Sequence, residues 1–193
     1  MTTKALRSLF PAFHSDVKTM VFVDGENLAI RYGDELKNRN ADAISEVAYD
    51  PNVYVWSGRF YNQLHLKAKT LRTHYYTSVQ GDQMRIDKVI DDLRKVSIEH
   101  PSVFQRKSNT RSKQVDISLC TDMLLHATRK NYETAVLVAG DEDYVPLVKA
   151  VKSEGRRVIL WFISNGLSPV LQRNVDLFFN IEDYLFEPSV VAV

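Results

Sequence analysis

Three short acidic motifs carry the chemistry open to this chain. Asp24 follows an apolar run in VFVDGENL, Asp116 sits in KQVDISL, and Asp141 and Asp143 follow a second apolar run in AGDEDY. Carboxylates do not gather without a neutralising partner, because two of them 4 Å apart repel by about 4 kcal/mol at an effective dielectric of 20. A shared proton relieves a pair. Three or four hard oxygen ligands are better matched to a divalent cation such as Mg²⁺ or Mn²⁺, and Mg²⁺ keeps positions open for phosphate oxygens. The chemistry to expect is phosphoryl transfer, with the metal polarising phosphorus, activating water and stabilising the leaving oxygen.

Each acid also has a plainer reading. Taken singly, Asp116 and Asp143 read as helix N-caps, which satisfy free amides, and Asp24-Gly25 reads as a turn. Caps do not explain why Asp24 and Asp141 follow the two clearest buried strands. Asn27 reads either as a cap or as a hydrogen-bonding partner that holds Asp24 in place. Glu26 and Glu142 alternate with the favoured positions and are expected in solvent. Asp122 is expected off the face of Asp116, and Asp87, Asp91 and Asp92 on the wet face of a helix. The five His residues show no ligand spacing.

The elements that must position these acids are legible in the apolar pattern. Met20–Val23 and Thr134–Ala139 are short apolar runs bounded by turn residues, as in strands buried on both faces. Leu71–Val79, Val103–Lys107 and Arg157–Ile163 read as further strands. Helices are expected over Asn27 to about Leu36, Asp82–Ile98, Asp116–Lys130 and Val145–Ser153, with 59 to 69 a further helical stretch. Gly155 suits a C-terminal cap, and Ser168-Pro169 supplies a cap and first-turn proline for a helix to about Asn180. The stretch from Ala41 to His65 matches no motif that can be aligned, and its role is left open. Strand and helix alternate, which implies a mostly parallel sheet covered on both faces. In such a sheet the strand carboxyl ends share one edge, where ligands bind, so all three motifs meet there.

At 193 residues, 45% hydrophobic and 25% charged, the composition is that of a globular domain. The longest clean apolar run, Val158–Ile163, is far short of the roughly 20 residues of a membrane span. The single cysteine, Cys120, excludes an internal disulfide and a thiolate zinc site, and a cytoplasmic setting is expected. A net charge of +1 decides nothing about nucleic acid, but its distribution is uneven. Pro51–Gly81 contains no Asp or Glu and interleaves Arg59, Lys67, Lys69 and Arg72 with Tyr54, Trp56, Phe60, Tyr61, Tyr75 and Tyr76. A second acid-free window, His100–Val115, carries Arg106, Lys107, Arg111 and Lys113. Such windows suit single-stranded RNA, with bases stacked on aromatics and phosphates met by cations. Core packing is the competing expectation for at least half of those aromatics.

The motifs VFVDGENL, KQVDISLCTDML and VLVAGDEDYVPLVKAVKSEGRRVIL, in that order, resemble the NYN domain family of the PIN-like nuclease superfamily, which includes LabA-type proteins. The resemblance covers roughly residues 18 to 185, with 1–17 an extension and 186–193 a tail. It implies an α/β, PIN-like three-layer fold with about five mostly parallel strands in the order 3-2-1-4-5, which makes the strands before Asp24 and Asp141 neighbours. It also implies metal-dependent endoribonuclease activity. Metal ligation then falls to Asp24, Asp116 and Asp141, with Asp143 the second acid of the GDxD motif and Asn27 the polar residue after the first motif.

The leading expectation is therefore a Mg²⁺- or Mn²⁺-dependent ribonuclease contacting RNA through Arg59, Lys67, Arg106, Lys107, Arg111 and Lys113. The alternative is a catalytically silent RNA- or protein-binding module that keeps the acids for structure. A haloacid-dehalogenase-type phosphatase would need an Asp where this chain has Glu26. The oligomeric state is left open, a homodimer included.

Overall fold

A computed structural model describes residues 17–60, 69–106 and 113–188. The chain alternates strand and helix from its first element. Strand β1 (Lys18–Asp24) leads directly into helix α1 (Gly25–Arg39), followed by a hairpin of β2 (Val47–Asp50) and β3 (Tyr54–Ser57). Then come β4 (Lys69–Val79), α2 (Gln83–Lys95), β5 (His100–Gln105), α3 (Lys113–Thr128) and β6 (Thr134–Val138). A single 3₁₀ turn (Glu142–Tyr144) opens into α4 (Val145–Ser153), and β7 (Arg157–Phe162), α5 (Pro169–Asn174), β8 (Leu177–Asn180) and α6 (Glu182–Phe186) complete the order.

Six strands form one sheet in the order β5-β4-β1-β6-β7-β8, and every pairing in it is parallel. Its first five strands reproduce the expected 3-2-1-4-5 order. β1 is central and adjoins β6, with Val23 in register with Val138. The two strands that lead to Asp24 and Asp141 are therefore neighbours, and the sheet itself brings their ends together.

Alternate residues of the sheet feed two cores, as the two-residue period of a strand requires. Val21, Val23, Val136, Val138, Ile159 and Trp161 pack under α1, α2 and the hairpin. Met20, Phe22, Ala135, Leu137, Val158 and Leu160 pack under α3, α4 and α5. Strands buried on both faces read as continuous apolar runs, and this is why the runs at Met20 and Thr134 were recognisable.

The structure departs from expectation in two places. The helix after Ser168-Pro169 stops at Asn174 rather than near Asn180, and Leu177–Asn180 adds a sixth parallel strand beside β7. Asp176 sets that boundary: its carboxylate accepts from Val158 N at 2.7 Å and lies 2.9 Å from Lys152 Nζ. The unassigned stretch holds the β2–β3 hairpin, whose Val55 N and O both bond the Tyr75 hydroxyl at 3.0 Å. The helix expected over 59–69 is seen at Arg59 and Phe60, and 61–68 lie outside the described residues.

Candidate functional site

The acids are positioned by strand ends and by the first turns that follow them. Asp24 is the last residue of β1 and also the N-cap of α1, accepting from Asn27 N through Oδ1 at 2.9 Å. It is 1% exposed, a carboxylate taken out of water at the carboxyl edge of the sheet. Asp116 lies in the first turn of α3, three residues past its start at Lys113, so it is not that helix's cap. Its side chain is therefore available to the sheet edge rather than committed to free amides. Asp141 caps the 3₁₀ turn, accepting from Asp143 N at 3.3 Å. Asp143 is exposed.

One hydroxyl ties two of these acids together. Tyr144 Oη lies 2.9 Å from Asp24 Oδ2 and 3.1 Å from Asp116 Oδ1. Burial, and then the charges of Asp24 and Asp116, push the phenol well above its usual 10, so it keeps its proton. The same surroundings act on Cys120, whose thiol is raised to about 11 by burial, then by Asp116 and Asp24. Both groups lie close to the Asp24 and Asp116 carboxylates.

Asn27 locks the second acidic strand to the first. Its Oδ1 accepts from Gly140 N at 3.0 Å, one residue before Asp141, while its own N–H donates to Asp24. Gly140 must remain glycine for steric reasons, because a Cβ there would fall 2.3 Å from Phe162 Cε1 and 2.5 Å from Gly166 O. Gly25 is likewise pressed against the Tyr75 ring, with an added Cβ only 1.9 Å from Cε1.

Among the described residues, no three of His, Cys, Asp and Glu converge closely enough to hold a cation by themselves. The pair Asp24 and Asp116 nevertheless suits Mg²⁺ or Mn²⁺ in its chemistry: two hard anionic oxygens facing one point, where Mg²⁺ commonly takes one or two carboxylates and completes its shell with water. Asp141 is brought to the same edge through Asn27 and Gly140.

One acid falls elsewhere than expected. Glu26 is 2% exposed rather than solvated: it accepts from Ser78 Oγ at 2.7 Å and pairs with Arg106 Nη1 at 3.0 Å. Asp122 accepts from the Tyr76 hydroxyl at 2.8 Å, linking α3 to β4.

The expected RNA contacts divide sharply. Arg106 is held by Glu26, and Arg59 pairs with Glu46 at 3.3 Å and donates to Glu187 O. Their side chains are only 13% and 15% exposed, so neither is presented as a free surface cation. Lys113 is exposed at the start of α3, and Lys67, Lys107 and Arg111 lie outside the described residues. Trp56, Phe60, Tyr75 and Tyr76 are fully buried and Tyr54 nearly so, which makes them core rather than stacking platforms.

Sequence reasoning missed Tyr144 and Glu26. Tyr144 carried a signal, since it directly follows the GDxD acids and a hydroxyl-bearing aromatic in the turn after a strand can reach a neighbouring strand's acid. Glu26 carried none, because its partner is 80 residues away.

The NYN domain model matches residues 18–182. Among solved structures, a protein of unknown function from Vibrio parahaemolyticus superposes with a TM-score of 0.62 at 17% identity. The match covers 89% of this chain and 97% of that one, and at that identity it speaks for the fold alone. No curated protein matches.

Proposed function

The chain belongs to the NYN domain family, within the PIN-like nuclease superfamily, and from that premise we propose that it is a Mg²⁺- or Mn²⁺-dependent endoribonuclease acting on single-stranded RNA. The observation that carries the proposal is the convergence of Asp24 and Asp116 on one point at the carboxyl edge of a parallel sheet. Asp141 stands at the end of the adjoining strand, tied there through Asn27.

Asp24 and Asp116 would hold the cation, with Asp141 completing the negative rim. When bound, the cation supplies Lewis-acid polarisation of the scissile phosphate and lowers the pKa of a water. The chain's own residues do the rest. Asp143, exposed beside Asp141, orients the attacking water or accepts its proton. Asn27 fixes the distance between the two strand ends, and its loss would let Asp141 drift from Asp24. Lys113, one helical turn before Asp116, meets a substrate phosphate as a point charge. Lys67, Lys107 and Arg111, in the two acid-free windows, are the further proposed contacts.

The test is cleavage of a labelled single-stranded RNA with and without Mn²⁺. Metal-dependent cleavage by the wild type, reduced at least a hundredfold in Asp24→Asn and in Asp141→Asn, supports the proposal. Equal cleavage by all three proteins refutes it. Salt-sensitive RNA binding without metal-stimulated turnover would mark a catalytically silent module instead.

A further inference from the structure

The Tyr144 hydroxyl occupies a position that the proposed cation also needs. Asp24 Oδ1 accepts from the Asn27 amide, and its Oδ2 accepts from the Tyr144 hydroxyl at 2.9 Å. The same hydroxyl lies 3.1 Å from Asp116 Oδ1, so the two carboxylate oxygens flank it, no more than about 6 Å apart. A divalent ion bound by both oxygens at about 2.1 Å would draw them to within about 4 Å of each other. There is then no room for the hydroxyl to stay between them. A phenol also carries one proton for two acceptors, so it serves each carboxylate less fully than a doubly charged ion would.

We propose that Tyr144 is the cation's resident competitor: its hydroxyl holds Asp24 and Asp116 together in the metal-free protein and releases at least one of them when the metal enters. This rests on reading the acidic rim as a metal site. Tyr144 is a positioning residue in this account, since it acts through the carboxylates and not on the substrate. Its consequence is a metal affinity set lower than the two acids alone would give. The metal-free fold, in return, does not depend on an ion to relieve the repulsion between two acids, one of them buried.

The linkage fixes the sign of the effect. A hydrogen bond to a charged group is stronger than one to a neutral group, and bonds made mainly in the metal-free state oppose binding. Tyr144→Phe keeps the ring, removes only the hydroxyl and so should bind Mn²⁺ about tenfold more tightly. A residue that merely orients the ligands would act in the opposite direction, its loss weakening the metal.

The experiment measures Mn²⁺ binding to the full chain without RNA, by the electron paramagnetic resonance signal of free Mn²⁺, for wild type, Tyr144→Phe and Asp24→Asn. Thermal melts in EDTA and in Mn²⁺ run in parallel. The proposal expects wild-type binding that Asp24→Asn loses and Tyr144→Phe tightens. It also expects a Tyr144→Phe melting temperature lower than wild type in EDTA and raised by Mn²⁺ more than the wild type's. If the wild type binds Mn²⁺ and Tyr144→Phe binds equally or more weakly, the competitor role is overturned while the metal site stands. If the wild type binds no Mn²⁺ at millimolar concentration, the metal site itself is refuted, and the competitor role with it.

Discussion

Replacing Arg106 with glutamine should damage the fold far more than any contact with RNA. The guanidinium lies 3.0 Å from Glu26 Oε1, and the carboxylate is 2% exposed. Ser78 Oγ, at 2.7 Å, is the other donor seen on that carboxylate. Removing one member of a buried pair leaves an uncompensated charge and typically costs about 3–5 kcal/mol. For a chain of this size each kcal/mol lowers the melting temperature by about 2–4 °C, which puts the expected drop on the order of 10 °C. Because the pair is buried, salt should change this loss little. The double variant Glu26→Gln with Arg106→Gln removes the buried charge and leaves amides able to bond Ser78, so it should recover most of the drop. The assay is thermal unfolding of both variants at two salt concentrations, paired with RNA binding. An Arg106→Gln protein that melts within about 2 °C of wild type yet binds RNA tenfold more weakly would refute the ion-pair assignment and return Arg106 to the phosphate.

Three further outcomes follow from the same geometry. Asn27→Ala orphans the buried Gly140 N–H, so it should cost about 1–3 kcal/mol in denaturant unfolding and lower metal-dependent cleavage without altering the RNA affinity of the remaining protein. Gly140→Ala drives a methyl into the Phe162 ring and the Gly166 carbonyl and should destabilise by a similar 1–3 kcal/mol, whereas Gly155→Ala meets no neighbour and is opposed only by its φ of +73°. His74 is depressed from 6.5 to about 4, first by burial and then by His100 and His126, with Arg72 acting the same way and Asp122 opposing. Above pH 6.5 it is neutral in both the folded and unfolded chain. As pH falls from 6.5 toward 4 the unfolded chain takes the proton and the folded one does not, so stability declines through that window and then levels. His74→Phe, which keeps a ring against Phe22, should flatten the decline measured by chemical denaturation between pH 7 and pH 4; an unchanged slope would contradict it.

What could be read from the sequence follows from where each interaction lies along the chain. β1 and β6 announced themselves because strands buried on both faces are apolar throughout, and Asp24 and Asp141 were conspicuous because they end those runs. The helix over Val145–Ser153 was read to the residue from its apolar period and the glycine that ends it. β8 was absorbed into the preceding helix because Leu177–Phe179 is apolar without a break. What stops α5 is Asp176 bonding back to Val158, a contact between segments that pattern cannot express. The hairpin over residues 47 to 57 was illegible for the same reason, its place being set by the Tyr75 hydroxyl of β4. Charge was the least reliable guide. Arg59 and Arg106 looked like surface cations in the two acid-free windows, yet their acids, Glu46 and Glu26, stand in other segments. The aromatics of the first window are core for the same kind of reason: Tyr75 and Tyr76 are adjacent on β4 and feed the two cores on its opposite faces, and Trp56 of β3 packs in the first of them.

The central claim is that Asp24 and Asp116 jointly ligate a divalent ion. Crystals soaked in Mn²⁺ and measured at the manganese absorption edge test it most directly. The account predicts an anomalous peak within about 2.2 Å of an oxygen of each carboxylate, with the Tyr144 hydroxyl displaced from at least one of them. A fully soaked crystal with no peak there, and Tyr144 still bonded to both acids, would contradict it.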